Sequence, residues 1–161
     1  MHAYKLNLLH ILLLLSTATC FYFAFQESRL RTITLKTHYG LSGFAILSAL
    51  VLIFIQVGLK EPAWSFLVAL AIGATIGLVR GSTLKLRVDR SFKVPRPSGS
   101  RNSIWAAALL AGMAAVDAVG ATIGPDANMW RYYASLVATG CAGLLFGRAI
   151  VLAARVWRLI G

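Results

Sequence analysis

Asp117 stands out in the sequence because it is an acid within a long apolar segment. An ionisable side chain is costly inside a lipid bilayer and is by default a hypothesis for a functional site. If the chain alternates across a membrane, His10 and Gln56 lie in other segments at a depth similar to that of Asp117. The three side chains predict a polar intramembrane cluster that could bind a proton or a cation. The alternative is that Asp117 is protonated or hydrogen-bonded to a neighbouring helix and serves packing alone.

The other polar residues form no recognisable catalytic or metal-binding pattern. Cys20 and Cys141 have neither a C-x-x-C partner nor a histidine at metal-ligand spacing, and buried free cysteines usually pack as small apolar residues. The sequence also lacks H-E-x-x-H, G-x-S-x-G and P-loop motifs, and it has no paired carboxylates. We therefore expect no catalytic residues, no cofactor and no metal, and a protein that is not an enzyme.

The composition explains why these residues have to be considered within a membrane. The chain has 161 residues, of which 58% are hydrophobic and 13% are charged, and its mean hydropathy is +0.75. An average soluble domain has roughly 45–50% apolar and about 25% charged residues. The composition therefore excludes an ordinary water-soluble globular protein.

Five apolar segments are long enough to cross a bilayer, since about 20 helical residues span a hydrocarbon core about 30 Å thick. They comprise residues 7–25, 40–58, 63–79, 103–123 and 132–153. Runs of this kind do not alternate as barrel strands do, so helices are expected. The sequence thus predicts an all-α polytopic membrane protein with five transmembrane helices, in a single integral membrane domain over 1–161. A cleaved signal peptide is the alternative for the first segment.

The basic residues predict the orientation of the five segments. The chain has 16 Lys and Arg against 5 Asp and Glu, a formal net charge of +11. If the segments alternate, only Lys5, Lys60 and Arg131 fall on one side, and the other basic residues fall on the opposite side. Because short cytoplasmic loops carry the excess of Lys and Arg, the N terminus is expected outside and the C terminus inside (N-out/C-in). A cleaved signal peptide would place the basic 80–102 loop outside, which argues against that alternative.

The basic excess also predicts a cytoplasmic face that contacts anionic lipid headgroups, which attract each basic residue by about 1 kcal/mol. A nucleic-acid partner is not expected. The candidate contacts are Arg80, Lys85, Arg87, Arg90, Lys93, Arg148 and Arg155. Two of them, Arg80 and Arg148, lie near the ends of apolar segments, from which a long side chain can extend towards water.

The loop over 80–102 changes from a helical period to a period of two. Apolar and charged residues alternate between positions 84 and 94, which predicts a short cytoplasmic β-hairpin between helices 3 and 4. The hairpin is expected to turn near residues 89–91 and to end before Pro95 and Pro97. The alternative is an irregular basic loop.

Glycines four residues apart predict close contact between helices. Gly73 and Gly77 form one G-x-x-x-G pair, and Gly143 and Gly147 form another. Such pairs let helix backbones approach closely in membranes. They predict helix packing, either within the chain or with a second copy or another membrane protein.

The sequence also contains a short internal similarity. Aligning Arg80 with Arg148 also aligns Arg87-Val88 with Arg155-Val156. Segments two and three would then be a parallel repeat of segments four and five, an arrangement found in some transporters.

The second half of the chain contains three short motifs that recur together, in this order, in a known protein family. They are Val88-Asp89-Arg90, Gly99-Ser100 and Gly147-Arg148-Ala149. In this respect the chain, over about residues 70–158, resembles a family of small uncharacterised bacterial inner-membrane proteins, with the CcdC-like membrane proteins as distant relatives. Two features depart from the family pattern: Arg101-Asn102 follows the G-S where an aromatic residue or proline is usual, and Asp117 replaces a non-acidic residue.

The resemblance implies a multi-pass protein of the bacterial inner (cytoplasmic) membrane with an unassigned activity. The CcdC-like relatives point to cytochrome c maturation, for which this chain lacks a C-x-x-C thiol pair. Together the residues and the resemblance favour a non-enzymatic accessory or assembly factor that acts through its basic cytoplasmic face. The second hypothesis is a small transporter or channel that uses Asp117, and an intramembrane enzyme is the third.

Overall fold

The computed structural model describes residues 8–29, 35–58, 62–84, 86–89, 94–97, 102–123 and 127–160. The helices in these ranges are α1 (Leu8–Arg29), α2 (Leu35–Gly58), α3 (Ala63–Thr83), α4 (Asn102–Ile123) and α5 (Asn128–Ile160). All five contain a stretch long and apolar enough to cross a membrane, which confirms the five predicted spans and a multi-pass membrane protein. The helices are longer than the apolar segments, and α5 reaches about 50 Å at 1.5 Å per residue.

Four of the helices form a bundle. Helix α1 packs on α2 and α4, and α5 packs on the same two helices, so α1 and α5 face each other across the centre. Eight of the buried residues of α5 recur at intervals of three and four, the pattern of a left-handed helical bundle. They are Arg131, Ser135, Ala138, Ala142, Leu145, Ala149, Leu152 and Val156. Many core residues are small, as expected where membrane helices pack closely.

Helix α3 lies outside this bundle and packs mainly on α5, through the glycines singled out in the sequence. Successive residues of α3 meet successive residues of α5, so the two helices are parallel. A Cβ atom at these glycines would overlap the backbone of the opposing helix. The pairs in contact are Gly73 with Gly140, Gly77 with Leu144, Gly143 with Leu70, and Gly147 with Ala74. Both G-x-x-x-G faces are therefore occupied within the chain and are not available for self-association.

The seam between α3 and α5 opens on one side into a groove of about 370 Å³. Its walls include Ile72 and Ile76 from α3, and Val137 and Cys141 from α5. The residues that line the groove are apolar or small, like the rest of the surface expected to face lipid.

The structure does not support the predicted two-helix repeat. Helices α2 and α3 barely touch, whereas α4 and α5 pack over much of their length. Arg87 lies in an extended segment, whereas its aligned counterpart Arg155 lies within α5.

The bounds predicted for the hairpin, which was expected to lie within residues 84–94 and to end before Pro95, are wrong. Helix α3 continues to Thr83, and among the described residues that follow it the extended ones form two short segments, β1 (Leu86–Asp89) and β2 (Val94–Pro97). They pair antiparallel, with Leu86 opposite Pro97 and Asp89 opposite Val94. The two prolines expected to terminate a hairpin thus lie inside β2, which a two-stranded pair tolerates because both strands are edges. The fold is a helical bundle in which this pairing is a short connection.

The four tryptophans mark the two ends of the bundle. Trp64 and Trp130 lie at the end where α1, α3 and α5 begin, here called the N-terminal end. Trp105 and Trp157 lie at the opposite, C-terminal end. The residues are 67%, 74%, 70% and 83% exposed, respectively. Exposed tryptophan side chains at the two ends of a helical bundle are typical of the two membrane–water interfaces.

Candidate functional site

The polar residues predicted from the sequence meet inside the bundle near its N-terminal end. Each helix of the bundle contributes to this group, here called the Asp117 layer, which consists of His10, Gln56, Asp117, Arg131 and Ser135. All five are at least nine-tenths buried, and Asp117 is fully buried. The structure therefore brings together the three residues of the predicted cluster, His10, Gln56 and Asp117, and adds two residues from α5.

Asp117 is held by two donors on the same carboxylate oxygen. The Nε2 group of Gln56 donates to Oδ1 of Asp117 at 3.0 Å, and Nε of Arg131 donates to the same oxygen at 3.1 Å. Gln56 also lies 2.8 Å from the hydroxyl oxygen of Ser135. The carboxylate and the guanidinium form a buried ion pair, so the layer carries little net charge when His10 is neutral.

The short connection between α4 and α5 explains why Arg131 reaches Asp117. Asp117 lies in the last two turns of α4, and Arg131 lies in the first turn of α5, so an antiparallel hairpin places them side by side. Gly120, one turn beyond Asp117, leaves room for the Arg131 side chain: a Cβ there would lie 2.5 Å from Cγ of Arg131. The sequence prediction placed Arg131 in the loop before the last apolar segment. Pairing the fourth and fifth segments as an antiparallel helical hairpin would have placed Arg131 beside Asp117.

His10 faces the other side of the Asp117 carboxylate. Its Nε2 atom lies 3.8 Å from Oδ2 of Asp117, which is too long for a hydrogen bond. Among the described residues, neither ring nitrogen of His10 nor Oδ2 of Asp117 has a hydrogen-bond partner. Buried polar atoms are nearly always paired, so an unpaired imidazole beside an unpaired carboxylate oxygen requires an explanation.

A second buried ion pair lies near the C-terminal end of the bundle. Arg148 of α5 donates from a terminal guanidinium nitrogen to Oε1 of Glu27 in α1. Arg148 is 3% exposed and Glu27 is 1% exposed. Arg148 was predicted to extend towards lipid headgroups, and the structure shows that this prediction is wrong because the side chain turns inward to Glu27. Sequence reasoning placed Glu27 in a loop and missed it.

The other predicted lipid contacts differ among themselves. Arg80 is exposed at the C-terminal end of α3, as a lipid contact requires. Arg155 instead caps α3: one guanidinium nitrogen donates to the carbonyl oxygens of Gly81, Ser82 and Leu84 at 3.3, 3.1 and 2.7 Å. A cation at a helix C-terminus also interacts favourably with the helix dipole. Lys85, Arg90 and Lys93 lie outside the described residues, and for Arg87 only the backbone, in β1, is described.

Buried hydroxyl groups also lie in the bundle interior between the two charged groups. The hydroxyl groups of Ser16 in α1 and Ser48 in α2 are 2.8 Å apart and buried. Thr17 lies beside Ser16 and donates to the carbonyl oxygen of Leu13. The interior therefore alternates between polar and apolar layers along its axis.

Within the described ranges, no three His, Cys, Asp or Glu side chains come close enough to hold a metal ion. Comparisons of the chain with protein families, with curated proteins and with solved structures find no match. The resemblance of the second half of the chain to bacterial inner-membrane proteins therefore stays a prediction, and the Asp117 layer is the strongest indication of function.

Proposed function

We propose that this multi-pass membrane protein moves protons through the interior of its four-helix bundle, and that His10 and Asp117 form its proton-binding site. The observation that carries the proposal is the imidazole of His10, which has no hydrogen-bond partner among the described residues and lies 3.8 Å from Oδ2 of Asp117 inside the bundle. Histidine is the side chain whose charge changes most readily near neutral pH. Buried ionisable residues of this kind mark proton pathways in membrane proteins.

The charges around the site favour a proton over a larger cation. Arg131 already compensates Asp117 at Oδ1, so a metal ion would meet a guanidinium within the same layer. A proton added to Nε2 of His10 becomes part of the ring and turns that nitrogen into a donor directed at Oδ2 of Asp117. A movement of about 1 Å would shorten the 3.8 Å distance to that of a charge-assisted hydrogen bond. The site thus has one arrangement for each protonation state.

Proton flux into reconstituted vesicles tests this function. Vesicles that contain a trapped pH-sensitive dye are given a potassium diffusion potential, and the initial rate of acidification is measured. The wild-type protein is expected to exceed protein-free vesicles, and His10→Leu should reduce the rate to the protein-free level. The variant should still fold, because His10 makes no hydrogen bond with any described residue. Thr75→Val, which removes a hydroxyl from the exposed face of α3, is the matched control and should retain the wild-type rate.

A wild-type rate equal to that of protein-free vesicles, or a His10→Leu rate equal to the wild-type rate, would contradict proton movement through this site. The second candidate function would then be favoured: an accessory or assembly protein without enzymatic activity, whose partner binds the C-terminal end. The observation that supports it is that Arg29, Arg80 and Arg158, on three different helices, are exposed at this end.

The orientation and location belong to the same proposal. We place the N terminus outside and the C terminus inside the bacterial inner membrane, with Arg80 in contact with anionic headgroups. The uneven division of basic residues supports this orientation. The structure adds support in that Arg131, one of the few basic residues assigned to the outer side, is neutralised by Asp117 within the bundle.

A further inference from the structure

We propose that Glu27 and Arg148 form the second charged site of the same pathway and close the bundle interior at its C-terminal end. This inference deepens the proposed function and rests on it for the role of the pair in proton movement. The closure itself is a separate physical property that can be measured without any flux. The sequence did not single out Glu27, and it singled out Arg148 only as a candidate lipid contact.

The two charged groups are placed alike in the bundle. His10 and Glu27 lie on α1, and Arg131 and Arg148 lie on α5, the helix opposite. Both intervals are 17 residues, about 25 Å at 1.5 Å per residue. A hydrocarbon core is about 30 Å thick, so one group lies near each membrane surface. A path through the bundle interior therefore begins at one buried ion pair and ends at the other.

The residues between the groups support a single interior path. The buried face of α1 carries Ser16, Thr17 and Cys20 between His10 and Glu27. Ser16 contacts Ser48 of α2 about midway, where hydroxyl groups can both donate and accept. Fully buried leucines, including Leu13 and Leu41, separate this contact from the two charged groups. The proposed path is therefore interrupted by buried leucines in this structure, and each of its ends lies at a charged group.

The position of the Glu27–Arg148 pair makes it the closure at its end. Arg148 reaches from α5 to α1 across the bundle, and both side chains are almost completely buried. The Nε group of Arg148 is buried and has no hydrogen-bond partner among the described residues, so the guanidinium can form another bond when the pair separates. A carboxylate that accepts a proton loses most of its attraction for the guanidinium, which couples arrival of a proton at Glu27 to opening.

Cys20 is a natural reporter for the closure. It lies two turns from Glu27 on the same face of α1, is completely buried, and its Sγ atom faces the carbonyl oxygen of Leu41 at 3.7 Å. A charged, membrane-impermeant thiol reagent can reach Cys20 from the C-terminal side only when the pair has opened. The other thiol, Cys141, is removed by Cys141→Ala so that labelling reports on Cys20 alone.

The experiment compares Glu27→Gln with the parent chain in proteoliposomes, with the reagent applied to the C-terminal side. Glu27→Gln is expected to raise the labelling rate of Cys20 by about tenfold or more, since the rate follows the population of the open state. Ser28→Ala, one residue away on α1, is the matched control and should label at the parent rate. The exchanged variant Glu27→Arg/Arg148→Glu, which restores opposite charges, should label more slowly than Glu27→Gln.

An unchanged labelling rate in Glu27→Gln would overturn the inference and leave the pair as a packing contact. The proposed function would then still be judged by the flux of His10→Leu, so the two failures are distinguishable. If Glu27→Gln does not fold, Glu27→Asp serves instead: it keeps the charge but shortens the side chain, and faster labelling of Cys20 is again expected. A parent labelling rate in the folded Glu27→Asp variant would likewise count against the closure.

Discussion

Replacing Asp117 by Asn is expected to lower the free energy of unfolding by about 3–5 kcal/mol, the usual effect of removing one partner of a buried ion pair. Asn keeps the shape of the side chain and can still accept from Gln56, so the loss comes from the charge. Arg131 is 3% exposed and would be left as an uncompensated cation inside the bundle. Unfolding in mixed detergent micelles, followed by circular dichroism, measures this change.

The matched variants for this prediction are Arg131→Gln and the double variant Asp117→Asn/Arg131→Gln. Arg131→Gln should destabilise the protein less than Asp117→Asn, because a carboxylate can become neutral by taking up a proton and a guanidinium cannot. The double variant should recover most of the stability lost in Asp117→Asn. If the two single changes simply add in the double variant, Asp117 and Arg131 do not act as a pair.

The second large effect is expected at the seam between α3 and α5. Gly73→Leu should destabilise the protein by about 1–3 kcal/mol or more, the usual range for inserting atoms into a close-packed interior. The clash is with the backbone of Gly140, which cannot move aside as a side chain can. Since α3 packs mainly on α5, we expect the helix to separate from the bundle. Cys141, which lines the groove between these helices, should then react faster with a lipid-soluble maleimide in a Cys20→Ala background.

Gly112→Leu is the control for the seam, because a Cβ at Gly112 meets nothing within 4 Å. It should leave both the stability and the reactivity of Cys141 close to the wild-type values. Equal effects of Gly73→Leu and Gly112→Leu would contradict the close backbone contact between α3 and α5.

The number of helices and the depth of the Asp117 layer follow from the sequence because both depend on hydropathy along a single segment. An apolar run of about 20 residues can cross a bilayer as a helix, which satisfies its own backbone hydrogen bonds, so the hydropathy of the sequence is enough to predict the five spans. Asp117 is conspicuous for the same reason. His10 and Gln56 could be placed beside it from their depth alone, once the alternation of the segments was assumed.

The two arginine partners could not be found in this way because they depend on how the helices face each other. Arg131 and Arg148 lie near the two ends of the apolar segment predicted over residues 132–153, where a basic residue can equally extend to water or turn into the bundle. Glu27 had a usable signal, because it continues a spacing of three and four residues along the buried face of α1. The earlier residues on this face are His10, Leu13, Thr17, Cys20 and Ala24. The boundary of the apolar segment hid it, because α1 continues to Arg29.

The glycine pairs also predicted a contact without identifying the partner helix. Their spacing predicted close packing, and the structure shows that packing between α3 and α5. The spacing could not choose between a helix of the same chain and a second copy, since both offer an apolar surface.

In the connection after α3, the alternating residues predicted a hairpin that stopped at Pro95, whereas β2 includes both Pro95 and Pro97. Proline excludes a central strand but is compatible with the edge strands of this short pairing.

The protonation state of His10 in lipid bilayers tests the central claim most directly. It can be read from the ¹⁵N chemical shifts of the ring nitrogens in protein whose other histidines are replaced, His2→Gln and His38→Gln. A proton-binding site predicts that His10 changes between the neutral and the doubly protonated ring within the pH range in which the protein stays folded, and that Asp117→Asn alters this change. A His10 ring that stays neutral throughout that range would contradict the account.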